Sequence, residues 1–109
     1  MAKLVTFFVG LNDKDTKTQI ITTTDAKRLI CKAMVKYFDF GGTLSECSGI
    51  YKHCDGSNTI VVESSFKVEV LFTEAGFESS CKRFAAVLKR ALNQESILIT
   101  TTTVEASFI

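Results

Sequence analysis

Between Ser65 and Phe72 the chain alternates residue by residue. Phe66, Val68, Val70 and Phe72 fall on one side and Ser65, Lys67, Glu69 and Leu71 on the other. A period of two is that of a strand, and one apolar side against one mixed side predicts a sheet covered by other elements on one face only. The run is taken as a strand from Ile60 to Phe72. A second apolar stretch, Lys3 to Val9, is rich in β-branched and aromatic residues and reads as another strand.

Two segments follow a different rhythm. From Ala26 to Phe38 the apolar residues Ala26, Leu29, Ile30, Ala33, Met34 and Tyr37 recur at three and four, the spacing of one helical face, and Thr22-Thr23-Thr24-Asp25 supplies a helix start. After Thr73-Glu74-Ala75-Gly76 a second helix is expected to Leu92, with Phe77, Cys81, Phe84, Leu88, Ala91 and Leu92 inward and Asn93-Gln94 closing it. Gly41-Gly42 reads as the stop of the first helix. Thr43 to His53 reads as a polar strand bulged near Ser48-Gly49, with a turn at Asp55-Gly56. Ser96 to Ile109 reads as a last strand, and Gln19-Ile20-Ile21 as a short extended stretch.

The predicted order is βαββαβ, the split-βαβ pattern of a ferredoxin-like α+β sandwich, with two helices on one face of a four-stranded antiparallel sheet and the chain from 1 to 109 as one domain. In that topology the first and third strands are central, which agrees with their denser apolar content. At 109 residues such a domain needs neither disulfide nor metal for stability. Four scattered cysteines and an N-terminus that reads as a strand rather than a leader predict a reduced, cytoplasmic protein, and no apolar run is long enough to span a membrane.

Gly49-Ile50-Tyr51, Gly56, Val62-Glu63-Ser64-Ser65-Phe66-Lys67-Val68-Glu69 and Leu92-Asn93-Gln94-Glu95-Ser96-Ile97-Leu98-Ile99 together resemble a pattern in small uncharacterised ferredoxin-like proteins of bacteria and their phages. The resemblance implies the same fold and a mobile-element or accessory role, such as a phage-type inhibitor or regulator. It implies no catalytic residue.

The residues themselves offer little chemistry. His53-Cys54-Asp55 with Cys47 lacks zinc spacing, and His53 beside Cys54 does not make a nucleophile–base pair. Cys31 and Cys81 read as small core or core-margin residues. Glu63 with Glu69, or Glu46 with Glu105, has no fixed separation, and solvated sheet charges are the default. Gly41-Gly42 follows a helix and lacks a phosphate-loop lysine. No catalytic residue, cofactor or metal is therefore expected.

Charge is better organised. The total is +1, from 13 basic and 12 acidic residues, yet eight of the 13, Lys27, Arg28, Lys32, Lys36, Lys82, Arg83, Lys89 and Arg90, are assigned to the outer sides of the two helices. The uncovered sheet face, with Leu4, Thr6, Phe8, Ser65, Lys67, Glu69 and Leu71, is mixed in polarity. One ring, Phe8, falls short of the aromatic platform of an RNA-recognition module.

The expected function is a non-enzymatic protein-interaction module, self-associating as a homodimer, whose candidate surface comprises Phe8, Lys67, Glu69, Leu71, Lys82, Arg83, Lys89 and Arg90. The alternatives are nucleic-acid binding by the basic helical face, and a small ligand-binding protein or enzyme with a pocket between helices and sheet.

Overall fold

A computed structural model describes residues 1–53 and 56–109. The elements are β1 (Ala2–Gly10), α1 (Thr23–Tyr37), β2 (Thr43–Lys52), β3 (Ile60–Phe72), α2 (Glu78–Ala91) and β4 (Leu98–Val104). The four strands form one antiparallel sheet in the order β2-β3-β1-β4, so β1 and β3 are central as their composition predicts. The fold is the ferredoxin-like α+β sandwich.

Register decides which side chains share a face. Val5 pairs with Val70, Phe7 with Val68 and Val9 with Phe66; all six are buried beneath the helices. Their neighbours Leu4–Leu71, Thr6–Glu69 and Phe8–Lys67 point to the opposite, uncovered side. The alternation seen in the sequence is thus the alternation of the sheet.

The helices close the covered face. Ala26, Ile30, Ala33 and Met34 of α1 and Cys81, Phe84 and Leu88 of α2 enter the core, with Leu29 and Tyr37 packed at its margin. Phe7, Phe38 and Phe84 meet at its centre, with ring centroids 4.9 Å apart for Phe7–Phe84 and 4.8 Å for Phe38–Phe84. Burial pushes the Cys81 thiol up to about 11, with the nearby Glu78 carboxylate adding to the rise, so this cysteine packs as a neutral group.

Helix ends follow local chemistry. Thr22 caps α1, its side chain accepting from the Asp25 N–H at 3.1 Å, which is worth about 1 kcal/mol in general. At the far end of α2, Asn93 takes φ 47°, a left-handed conformation that stops the helix.

Several details differ from the sequence reading. The β2–β3 ladder runs without a slip from Thr43–Glu69 to Lys52–Ile60, so Gly49 marks no bulge; it sits squarely opposite Glu63. Gly41-Gly42 does not stop α1, which already ends at Tyr37 with Phe38 as its cap. Gly42 answers a close approach instead, because a Cβ there would lie 2.6 Å from the Glu69 carbonyl oxygen. Ala91 is exposed rather than inward. The threonines Thr100–Thr103 are the body of β4, paired with β1, while Glu105–Ile109 lies outside the strand. Ile20 and Ile21 join no strand; Gln19 alone makes a bridge, to Asn12. Cys54 and Asp55, assigned above to a candidate cluster and a turn, lie outside the described residues.

Candidate functional site

The best-built polar site lies at one end of the uncovered sheet face and is centred on Glu63. β3 is longer than β1, so Glu63 stands just past the point where β1 ends at Gly10. Its carboxylate reaches across toward β1, where Oε2 accepts the Asn12 backbone N–H at 2.9 Å. That reach requires an empty neighbour. A Cβ on Gly10 would lie 2.7 Å from both Cδ and Oε1 of Glu63, a distance that real Cβ contacts do not show. On the other flank Gly49 pairs with Glu63, and a Cβ there would meet Ser65 Oγ at 3.3 Å and Glu63 Cγ at 3.5 Å. Neither glycine has a positive φ, so each serves space rather than a turn. Two side-chain-free positions, on the two strands that flank β3, thus make a trough in which one carboxylate lies half-buried.

The wall of the cleft is the chain that follows β1. Asp13 N–H donates to the Thr18 carbonyl at 2.8 Å and Lys17 N–H to the Asp13 carbonyl at 2.8 Å, closing a tight reversal with Lys17 at φ 63°. Asp13 Oδ2 accepts from the N–H groups of Asp15 and Thr16 at 2.9 and 3.0 Å. Asn93 ties the reversal to the end of α2: its amide nitrogen donates to Asp13 Oδ1 at 2.8 Å and Asp15 Oδ2 at 2.9 Å, and its carbonyl accepts from Lys14 N–H at 3.0 Å. The Asn93 amide, then the Thr16 N–H, hold the Asp13 carboxyl below its ordinary value. Gln94, which is buried, donates to the Asn12 carbonyl at 2.7 Å. A segment that composition marks as a loop is therefore stiff, because its backbone donors and acceptors are met from a distant element.

Asn12, Lys14, Lys17, Tyr51, His53 and Glu63 line the resulting cleft of about 340 Å³, at the low end of the roughly 300–1,000 Å³ usual for small-molecule sites. Tyr51 lies on the same face as Glu63, diagonally across the β2–β3 ladder. The cleft combines the carboxylates of Asp13, Glu63 and Glu95, the ammonium groups of Lys14 and Lys17, the His53 imidazole and the Tyr51 ring. Such a set suits an organic ligand carrying both signs of charge.

Of the residues weighed for chemistry in the sequence, His53 and Glu63 line this cleft, whereas the candidate interaction surface falls elsewhere. Phe8, Lys67, Glu69 and Leu71 are on the uncovered face, as the alternation predicts, with Lys67 Nζ 3.8 Å from Glu69 Oε1. At the end of that face away from Glu63, Leu4, Phe40, Glu69, Leu71 and Phe108 border a larger groove of about 500 Å³. Lys82, Arg83, Lys89 and Arg90 are exposed on α2, and Lys27, Arg28, Lys32 and Lys36 are exposed on α1. Among the described residues just one of these eight, Arg28, makes an ion pair, with Asp25 at 3.7 Å, while Lys36 Nζ lies 5.4 Å from the centre of the Tyr37 ring.

Glu63 and Glu69 share a strand face but are six residues apart, about 20 Å at strand rise, so they form no carboxylate pair. Cys47 is exposed, and so is Cys31, which lies outside the core margin that its helical spacing predicts. No cluster of His, Cys, Asp and Glu able to hold a metal occurs among the described residues, and no helix is long and apolar enough to cross a membrane. In the sequence alone Lys14 and Lys17 carry no signal, Tyr51 enters only through the resemblance, and Glu63 reads as a solvated charge. The available signal was the pair of glycines inside strands, Gly10 at the end of one and Gly49 within another.

The chain matches no protein-family model and no curated protein. Among solved structures it resembles a phage SAM lyase in complex with S-methyl-5'-thioadenosine, at TM-score 0.66 and 22% identity, over 93% of this chain and 80% of that one. The same kind of lyase without ligand gives 0.63 and 21%, over 92% and 78%. A DUF3240 family protein from Shewanella baltica gives 0.51 and 9%, over 99% and 94%. At these identities the likeness establishes a shared fold, held in common with phage and bacterial proteins.

Proposed function

We propose that the Glu63 cleft binds S-adenosylmethionine and cleaves it to S-methyl-5'-thioadenosine. The observation that carries this reading is the Glu63 carboxylate, half-buried between two glycines and fixed by a backbone N–H at the floor of a cleft of nucleoside size. The structural likeness to a lyase holding that nucleoside supplies the substrate class.

The chemistry asks for orientation more than for acid. The bond from the sulfonium sulfur to the methionyl Cγ breaks with its electron pair staying on sulfur, so the leaving group is a neutral thioether and needs no proton. A carboxylate oxygen of the methionyl fragment forms the new bond to Cγ, closing a five-membered lactone. No water enters, and the single positive charge lost from sulfur is matched by the negative charge lost from the carboxylate.

A protein carboxylate placed on the sulfonium would stabilise the ground state more than the transition state, since charge on sulfur is vanishing. Placed on the α-ammonium, whose charge persists, Glu63 orients the chain for internal attack at no such cost. Tyr51 offers its ring to the adenine, a contact that does not depend on the vanishing charge.

Incubation of the full chain with S-adenosylmethionine, followed by chromatography and mass spectrometry, tests the reading. S-methyl-5'-thioadenosine and the lactone are the expected products. Recovery of intact substrate, with no binding of the nucleoside, overturns it.

A second reading, a non-enzymatic interaction module that pairs two copies of the chain or covers a partner protein, is favoured by the apolar groove of Leu4, Phe40, Leu71 and Phe108 at the other end of the same face. Under this reading the chain acts as a phage-type inhibitor or regulator. Light scattering at high concentration read beside the turnover assay tests it: association without turnover is expected, and a chain that turns over and stays monomeric overturns it.

A further inference from the structure

Lys14 and Lys17 stand on the wall of the cleft that has Glu63 on its floor. Neither lysine makes an ion pair among the described residues. The acids of their own reversal are otherwise engaged: Asp13 and Asp15 take the Asn93 amide, and Asp13 also takes the N–H groups of Asp15 and Thr16. The backbone that carries both lysines is held by five further contacts, the two across the reversal, the Asn93 carbonyl to Lys14 N–H, the Gln94 amide to the Asn12 carbonyl and the Asn12–Gln19 bridge. Lysines carried on an anchored backbone lose less freedom on binding than lysines on a mobile lid. The other charged or titratable groups facing the cleft are Asp13, Glu95, His53 and Glu63 itself.

Asp13 on the same wall is taken up by Asn93 and backbone N–H groups, which leaves the ammonium groups of Lys14 and Lys17 unpaired there, across the cleft from the Glu63 carboxylate. An α-amino acid head group carries the complementary pair of charges.

Resting on the reading of the site given above, we propose that Lys14 and Lys17 form a carboxylate subsite that selects ligands with an intact α-amino acid end. Glu63 holds the ammonium of that end and the lysines hold one carboxylate oxygen, leaving the other free to approach Cγ. The assignment has a consequence for turnover. Cleavage detaches the head group from the nucleoside, so the nucleoside product loses both charged anchors together and is released more readily than substrate is.

Two stable ligands isolate the subsite. S-Adenosylhomocysteine carries the head group and a thioether in place of the reactive sulfonium, while S-methyl-5'-thioadenosine has no head group. Calorimetric titration of the full chain and of the double variant Lys14→Gln/Lys17→Gln with both ligands is the test. The double variant is expected to lose about tenfold or more in affinity for S-adenosylhomocysteine, as for removal of a charge-assisted hydrogen bond, and to stay within about twofold for the nucleoside. Lys17→Arg on a Lys14→Gln background should recover part of the loss.

An equal fall for both ligands, or no fall for either, overturns the subsite while leaving the cleft reading intact. Failure of the unaltered chain to bind either ligand overturns both. Both lysines are exposed, so an unchanged Tm is expected in the variants and confirms that affinity, not folding, is being read.

Discussion

The uncovered sheet face has two ends built from the same strands, and they differ in how much backbone is left bare. At one end Gly10 and Gly49 flank Glu63 and let a carboxylate lie against the sheet with a backbone N–H as its partner. At the other, Leu4 pairs with Leu71, and Phe40 and Phe108 add apolar walls to a larger groove without any comparable fixed polar group. The two ends teach that exposure of a sheet face does not define its role. Missing side chains make room for an oriented charge, whereas apolar pairs make a surface whose natural use is to be covered.

The comparison can be broken most forcefully at Glu63. Glu63→Gln keeps the shape of the side chain and removes its charge, and a misoriented substrate is expected to cost about 100-fold in the rate of nucleoside release with little change in Tm. A rate within about threefold of the unaltered chain counts against an orienting role at that end.

Gly10→Ala probes the trough rather than the charge. The added methyl displaces the carboxylate from the Asn12 N–H, and about a tenfold loss of affinity for S-adenosylhomocysteine is expected, the scale of one hydrogen bond to a charged group. Gly49→Ala, whose nearest contact is 3.3 Å, should cost less. Equal effects at the two glycines contradict the geometry.

Leu71→Lys tests the apolar end. If copies of the chain meet there, light scattering should show the variant dissociated at concentrations where the unaltered chain associates, with nucleoside release within about twofold, since a buried lysine left unpaired opposes an apolar interface. Loss of both properties would merge the two ends into one site.

The smallest effects are those of pH on stability. Hydrogen bonds from Asn93 and the Thr16 N–H lower the folded Asp13 carboxyl below its ordinary 3.8, so its contribution is present above that value and fades as the pH falls through the lower folded one. Asn93→Ala should flatten that acid-side slope in denaturant titrations. Cys81 behaves in the opposite sense. Its folded value is raised from 9.0 to about 11, so its contribution is complete below pH 9.0 and is lost as the pH climbs toward the folded value, a decline that Cys81→Ala removes.

Much of the fold is legible along the chain because its signals are local. Phe66, Val68, Val70 and Phe72 declare a one-sided strand, and the three-and-four spacing from Ala26 to Tyr37 declares a helix. The length of β4 is less legible, since four successive threonines look like loop until Leu98–Val104 is paired with β1. The site is hidden for a different reason. Glu63 acquires its meaning from Asn12, 51 residues away, and from the absence of a side chain at Gly10, neither of which leaves a mark near Glu63 in the sequence. Gly49 did leave a mark, but a glycine inside a strand announces either a bulge or a close approach, and register alone tells them apart. The charge layering on the helices was fully visible, and among the described residues it remains a set of exposed cations with one ion pair.

The distinction between the two ends is tested most directly by titrating isotopically labelled full chain with S-methyl-5'-thioadenosine and following backbone amide shifts by NMR. The account predicts saturable changes at Gly10, Asn12, Gly49, Tyr51 and Glu63, with Leu4, Phe40 and Leu71 unmoved. Changes centred on Leu4 and Leu71, or on the exposed cations of α1 and α2, would contradict it.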